Sequence, residues 1–137
     1  MTATITTTGP TDTAIGQLMH KFTQGDSSML THVADDIDFK IEHYKDDLDT
    51  SWQSASSIEG LMEVLGRLSA EVFPKGTLAL AIDTSSLGDG WHLTRFNQQF
   101  FYGERQCEVT SVTHIISHEF DGKVDYFREN VTNVIDV

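Results

Sequence analysis

The sequence has one cysteine, nine basic side chains against twenty-one acidic ones, and no long apolar run. Each shortage removes a class of protein. Cys107 alone can form neither an intrachain disulfide nor a cysteine-rich metal site. The scarcity of lysine and arginine leaves a formal charge of −12 over 137 residues, which repels phosphate backbones and anionic lipid surfaces. Nucleic acid and membrane are not expected as partners. No stretch approaches the ~20 apolar residues of a membrane span. The opening MTATITTTGPTD carries neither the basic nor the apolar portion of a secretory signal, so a cytoplasmic protein is expected. A glycine-rich phosphate loop and a nucleophile elbow are missing as well. His114 and His118 have the spacing that binds zinc on a helix, but on a strand it separates them by ~13 Å. The acidic run from Asp35 to Asp49 fails as a calcium loop, because Trp52 stands where glycine is required and Ile58 where glutamate is. No metal and no cofactor is expected.

What is present fits one domain with a single core. Residues 1–10 are threonine-rich and include Gly9-Pro10, which predicts a flexible tail before a domain spanning 11–137. A helix is expected from about Asp12, because Ile15, Leu18, Met19 and Phe22 share one face. Gly25 stops it, and Asp26 can cap a short second helix. From Asp35 the period changes to two, with Ile37, Phe39, Ile41 and His43 on one side of a strand. Ser56 with Glu59 has the pattern of a capping box before a third helix, whose stripe runs Ile58, Leu61, Met62, Leu65, Leu68, Val72. Phe73-Pro74 and Gly76 end it, TLALAID reads as a strand and TSSLGDG as a loop.

The last third, Trp91 to Val137, reads as three long strands joined by turns at Gly103-Glu104 and Asp121-Gly122. Strands longer than the usual five or six residues can curl into a one-sided sheet. The expected fold is α+β: a cone-shaped, curled, mixed but mostly antiparallel sheet with three helices from the N-terminal half on its concave face. With a two-residue turn at Gly103-Glu104, Leu93 would oppose His114 and Arg95 would oppose Val112. One face of the hairpin then holds Trp91, Leu93, Arg95, Asn97, Gln99, Phe101, Val112, His114 and Ile116. The other holds His92, Thr94, Phe96, Phe100, Cys107, Val109 and Ile115. Alternation does not decide which face is concave.

A capped helix, a Gly25-Asp26 turn, Ala34-Asp35-Asp36 opening a strand, a helix closing in Phe73-Pro74, and a meander with HEFDGKV follow in order. This series resembles the nuclear transport factor two-like superfamily, with the SnoaL-like polyketide cyclases and ketosteroid isomerases nearest, over roughly residues 12–135. The resemblance implies that pocket residues fall at Arg95, Asn97, Gln99 and His114, so the first face would be concave. It also carries departures. The isomerases' oxyanion tyrosine falls at Leu18, their general base at Ile41 and their second oxyanion donor at His114, while the cyclases' acid falls at Thr132.

His114 is the leading candidate for acid–base catalysis, since imidazole exchanges protons near neutrality; a core histidine held by a carbonyl or acid is the alternative. Arg95 would either polarise a substrate oxygen or pair with Glu129 on the neighbouring strand. Asn97 and Gln99 would add hydrogen bonds. His43 would lie near the pocket mouth, Trp52 and Trp91 would either line the opening or pack against the third helix, and Phe127 and Glu129 would stand along the wall. The expected ligand is a small hydrophobic or aromatic, oxygen-bearing molecule. It would be isomerised, cyclised or dehydrated without a cofactor, or held by a non-catalytic binding protein of the same fold. A homodimer is expected through the convex face, which would expose Phe96, Phe100, Val109 and Ile115.

Overall fold

The computed structural model describes residues 6–8, 13–42, 54–72, 74–103 and 105–137. In chain order these form β1 (Thr6–Thr8), α1 (Ala14–Thr23), a 3₁₀ segment (Ser27–His32), β2 (Val33–Glu42), β3 (Ser54–Ala55) and α2 (Ile58–Arg67). A π-type segment (Leu68–Val72) prolongs α2, and β4 (Thr77–Gly88), β5 (Trp91–Tyr102), β6 (Cys107–Phe120) and β7 (Lys123–Asp136) follow. Thr6–Thr8, expected in a loose tail, instead pair in parallel with Ala81–Asp83. Among the described residues, no helix is long and apolar enough to cross a membrane.

Local chemistry sets the helix ends. Thr13 Oγ1 accepts the Gly16 N–H at 3.1 Å and starts α1; Gly25, at φ +67°, takes the left-handed conformation that ends it. Asp26 then caps the 3₁₀ segment by accepting the Ser28 N–H at 2.9 Å, a bond that holds its carboxyl below the usual carboxylate value. The cap of α2 is Ser57, one residue later than expected: its Oγ accepts the Gly60 N–H at 3.1 Å, and Glu59 is left one position short of a capping box. Leu61, Val64, Leu68 and Val72 bury the inner stripe, whereas Met62 is exposed.

The seven strands among the described residues lie in one sheet of order β1-β4-β5-β6-β7-β2-β3, antiparallel except for β1 against β4 and β2 against β7. The expected loop after Asp83 is strand through Gly88, and only Asp89-Gly90 turns; both residues have positive φ, as do Asp121-Gly122. That is the backbone signature of type I′ hairpins. The β5–β6 connection is longer than the expected two residues. Tyr102 pairs with Cys107, so residues 103–106 lie between them and Arg95, not Leu93, opposes His114. Gly103 fixes this end of the hairpin: its N–H donates to the Val72 carbonyl at 2.8 Å, and a Cβ there would lie 2.0 Å from the Glu71 carbonyl oxygen. Two bulges re-aim β7: Thr132 is an extra residue opposite Val112 and Thr113, and Asp125 one opposite His118 and Glu119.

The sheet curls around the helices, with α1 against β4, β6 and β7 and α2 against β2. Its concave face carries Phe96, Phe100, Val109 and Ile115, which are 1%, 6%, 0% and 0% exposed. This overturns both the choice of concave face and the premise of the convex apolar patch. The two hairpin faces were sorted correctly by alternation, but the one holding Arg95 and His114 points outward. The physical reason is charge: Arg95, Glu108, His114 and His118 all lie on the outward face, where water solvates them, while the inward one carries no acidic or cationic side chain between Thr94 and Tyr102 or between Cys107 and Ser117.

Candidate functional site

Between the concave face and the two helices lies a cavity of about 90 Å³. The helices contribute Leu18, Met19 and Phe22 from α1 and Leu61, Leu65 and Leu68 from α2 and its extension. The sheet contributes Phe39, Phe96, Phe100 and Phe127, and Phe39 stacks on Phe127 with ring centroids 4.8 Å apart and planes 20° from parallel. That pair forms a flat apolar wall, as expected where parallel β2 and β7 set Phe39 beside Phe127.

Polar atoms are few and distributed. Gln98 is 6% exposed, and its Oε1 accepts the Thr77 hydroxyl at 2.6 Å, which leaves the amide nitrogen as its donor. Ser111 stands opposite Gln98 across the β5–β6 pair, and Tyr102 closes that end beside Phe100, at 5.6 Å between ring centroids. Glu129 is the only carboxylate among the described lining residues. In the sheet it lies between Ile115 and Ile41, so its strand neighbours are apolar. No lysine, arginine or histidine is among the described lining residues. A carboxylate in such surroundings can accept a proton from a bound molecule or bind its donor group.

Of the residues expected at the site, Phe127 and Glu129 are in the cavity wall. Arg95, Asn97, Gln99, His114 and Trp91 lie on the outer face and line no part of it. Arg95 and Glu129 are on opposite faces of the sheet, so an ion pair between them is excluded. His43 and Trp52 lie outside the described residues.

The outer face has its own order. His114 Nδ1 is 3.1 Å from the hydroxyl of the bulged Thr132, whose single proton goes to the Val112 carbonyl at 3.0 Å. The threonine oxygen therefore accepts, and the imidazole carries its proton on Nδ1. Trp91 packs against His118 and Tyr126 at 4.8 and 5.2 Å, and His118 Nδ1 meets Asp125 at 2.7 Å. Arg128 lies 4.5 Å above Tyr126 and pairs with Asp38 at 2.9 Å. These side chains satisfy one another on the surface.

The sequence reading missed Gln98, Ser111 and Tyr102. Their signal is positional: each falls on the same alternation as Phe96 and Phe100 or Val109 and Ile115. It also missed His92 and Glu119, which meet at 3.0 Å on the inward side near the start of α1. Among the described residues, no group of histidine, cysteine or carboxylate side chains is placed to hold a metal ion.

No protein-family model matches the chain, and no curated protein does. Solved structures do. An NTF2-like protein from Anabaena variabilis is 12% identical with a TM-score of 0.69, over 88% of this chain and 84% of that one. An LEH-like epoxide hydrolase from M. tuberculosis is 13% identical with a TM-score of 0.64, over 87% and 80%. A Mesorhizobium loti protein assigned as a SnoaL-like polyketide cyclase is 13% identical with a TM-score of 0.60, over 85% and 94%. At these identities the likeness concerns the backbone, and by it the chain has the fold of the nuclear transport factor two-like proteins.

Proposed function

We propose that this protein binds a small hydrophobic, oxygen-bearing molecule inside its cone and moves a proton on it without a cofactor, with Glu129 as the acid–base group. The observation that carries the reading is a single described carboxylate on a cavity wall that is apolar apart from Gln98, Ser111 and Tyr102. Apolar walls hold the skeleton of a ligand by burial, while a few polar atoms fix its orientation. The Gln98 amide is suited to polarise a carbonyl, and Glu129 to take a proton released by that polarisation. Isomerisation, cyclisation and dehydration all use such a step. The likeness to an epoxide hydrolase and a cyclase supports a small-molecule role of this kind.

A second reading is that the protein binds its ligand and never converts it. The lack of a histidine or cation among the described lining residues favours it, since no imidazole or ammonium among them stands ready to return the proton. Glu129→Gln separates the two, because it keeps shape and removes the base. Loss of turnover by a hundredfold or more, with affinity within a few-fold, supports catalysis. Affinity altered with no turnover in either protein supports binding alone.

We also propose a cytoplasmic location and pairing of two copies through the outer face, where Trp91, Leu93 and Ile116 keep part of their surface exposed. Light scattering at micromolar concentration tests the pairing.

A further inference from the structure

We infer that the ligand carries a carbonyl group, whose oxygen is received by two donors, the Gln98 amide and the Ser111 hydroxyl. Thr77, which is not among the described lining residues, is the positioning residue that fixes this polarity; the inference rests on the reading of the cavity as a ligand site. Thr77 stands at the start of β4, diagonal to Gln98: it pairs with Phe100, while Ala79 pairs with Gln98. The Ala79 methyl offers no hydrogen bond, and the amide is held instead by the threonine hydroxyl, which donates to Gln98 Oε1 at 2.6 Å. An O–H···O bond is ordinarily about 2.7–2.8 Å and an N–H···O bond about 2.9–3.0 Å, so the short separation belongs to the amide oxygen and not to its nitrogen. Oxygen and nitrogen are opposite arms of one plane. Holding the first aims the second.

The Gln98 nitrogen and the Ser111 hydroxyl have no hydrogen-bond partner among the described residues. Both groups border the free space of the cavity, although both residues are buried. They stand directly opposite each other across β5 and β6, where facing Cβ atoms lie about 4.5–5.5 Å apart. Two donors at that spacing converge on one acceptor atom. A carbonyl oxygen has two lone pairs and can take both bonds. An apolar group in its place would strip two donors of water and leave them unpaired. The same donors bind more strongly as the oxygen gains negative charge, which suits a carbonyl that is polarised as well as held.

The test uses two probes of one shape, acetophenone and α-methylstyrene, which differ only by C=O against C=CH₂. Met19 and Met29 line the cavity and Met62 is exposed, so ¹³C-labelled methionine methyls of the intact chain show where a probe binds. Both probes should shift Met19 and Met29 and leave Met62 unmoved. Thr77→Val keeps the shape and removes the hydroxyl; it should weaken acetophenone about fivefold, the worth of one hydrogen bond, and α-methylstyrene less than twofold. Ser111→Ala should discriminate in the same direction. Thr77→Ser should restore acetophenone binding to within twofold. In a Gln98→Leu chain, Thr77→Val should have no further effect, because it acts through the amide. Equal weakening of both probes by Thr77→Val, acetophenone binding unchanged by it, or its full effect in the Gln98→Leu chain overturns the carbonyl assignment while leaving the cavity a ligand site. If neither probe moves Met19 and Met29 of the unaltered protein, the cavity reading itself falls.

Discussion

Glu119 binds His92 from the end of the neighbouring strand: its Oε1 lies 3.0 Å from His92 Nε2 and also accepts the Ala14 N–H at 3.2 Å. One carboxylate thus ties β5, β6 and the first turn of α1 together, at the helix end where a negative charge is favoured. The imidazole is 8% exposed, so it has little water to replace a lost partner. Glu119→Ala should lower unfolding free energy by about 1–3 kcal/mol, since it strands a buried imidazole nitrogen and a helix N–H. Urea denaturation measures it. A change below a few tenths of a kcal/mol would show that the contact is incidental.

Gly103→Ala should be among the most damaging single-methyl additions in this chain. The added carbon would lie 2.0 Å from the Glu71 carbonyl oxygen, and the same glycine donates its N–H to Val72. Backbone must move on both sides, at a cost of about 1–3 kcal/mol typical of overpacking. Gly66 is the control, since a Cβ there meets nothing within 4 Å. Gly66→Ala, inside α2, should be neutral or stabilising by up to about 1 kcal/mol. Similar melting temperatures for the two variants would contradict the docking of the hairpin against the end of α2.

The elements were legible because their signals are local. Gly25, Asp26, the stripe from Ile58 to Val72 and the Asp121-Gly122 turn each act within a few residues, and the strand alternation sorted the faces of β5 and β6 correctly. What escaped was global. Whether Arg95 or Phe96 points inward depends on the direction in which the whole sheet curls, and alternation is symmetric to that. The charge count per face decides it, whereas the family resemblance pointed to the other face. The register error at Gly103-Glu104 has a related cause. The extra turn residues are set by docking against Val72, a contact far away in sequence. Glu129 was placed on the correct strand and at the pocket; its suggested pairing with Arg95 fails because the two lie on opposite faces, which the direction of the sheet's curl decides and no local signal does.

His32 makes stability depend on pH. Burial, and secondarily the charge of Lys21, hold its imidazole below the ordinary 6.5, and its Nε2 is buried with no hydrogen-bond partner among the described residues. The unfolded chain therefore binds a proton at a pH where the folded chain does not. Stability from this group is complete above about 6.5 and declines as pH falls from there to the lower folded value. His32→Gln should flatten that decline between pH 7 and 5, read as melting temperature against pH. If both proteins have the same slope, His32 contributes nothing to it.

The decisive check on the sheet's orientation is His114→Ala. The imidazole lies on the outer face and makes one hydrogen bond, to Thr132, so its removal should cost about 0.5–1.5 kcal/mol. Binding of a small aromatic alcohol in the cavity should stay within twofold of the unaltered protein, because His114 is not among the described lining residues. Gln98→Leu makes the matching inward change: its donor is lost from the wall, and binding of the same alcohol should weaken by about tenfold, the worth of one hydrogen bond. If His114→Ala abolishes binding and Gln98→Leu leaves it intact, the inward and outward faces of β5 and β6 are the reverse of those described here.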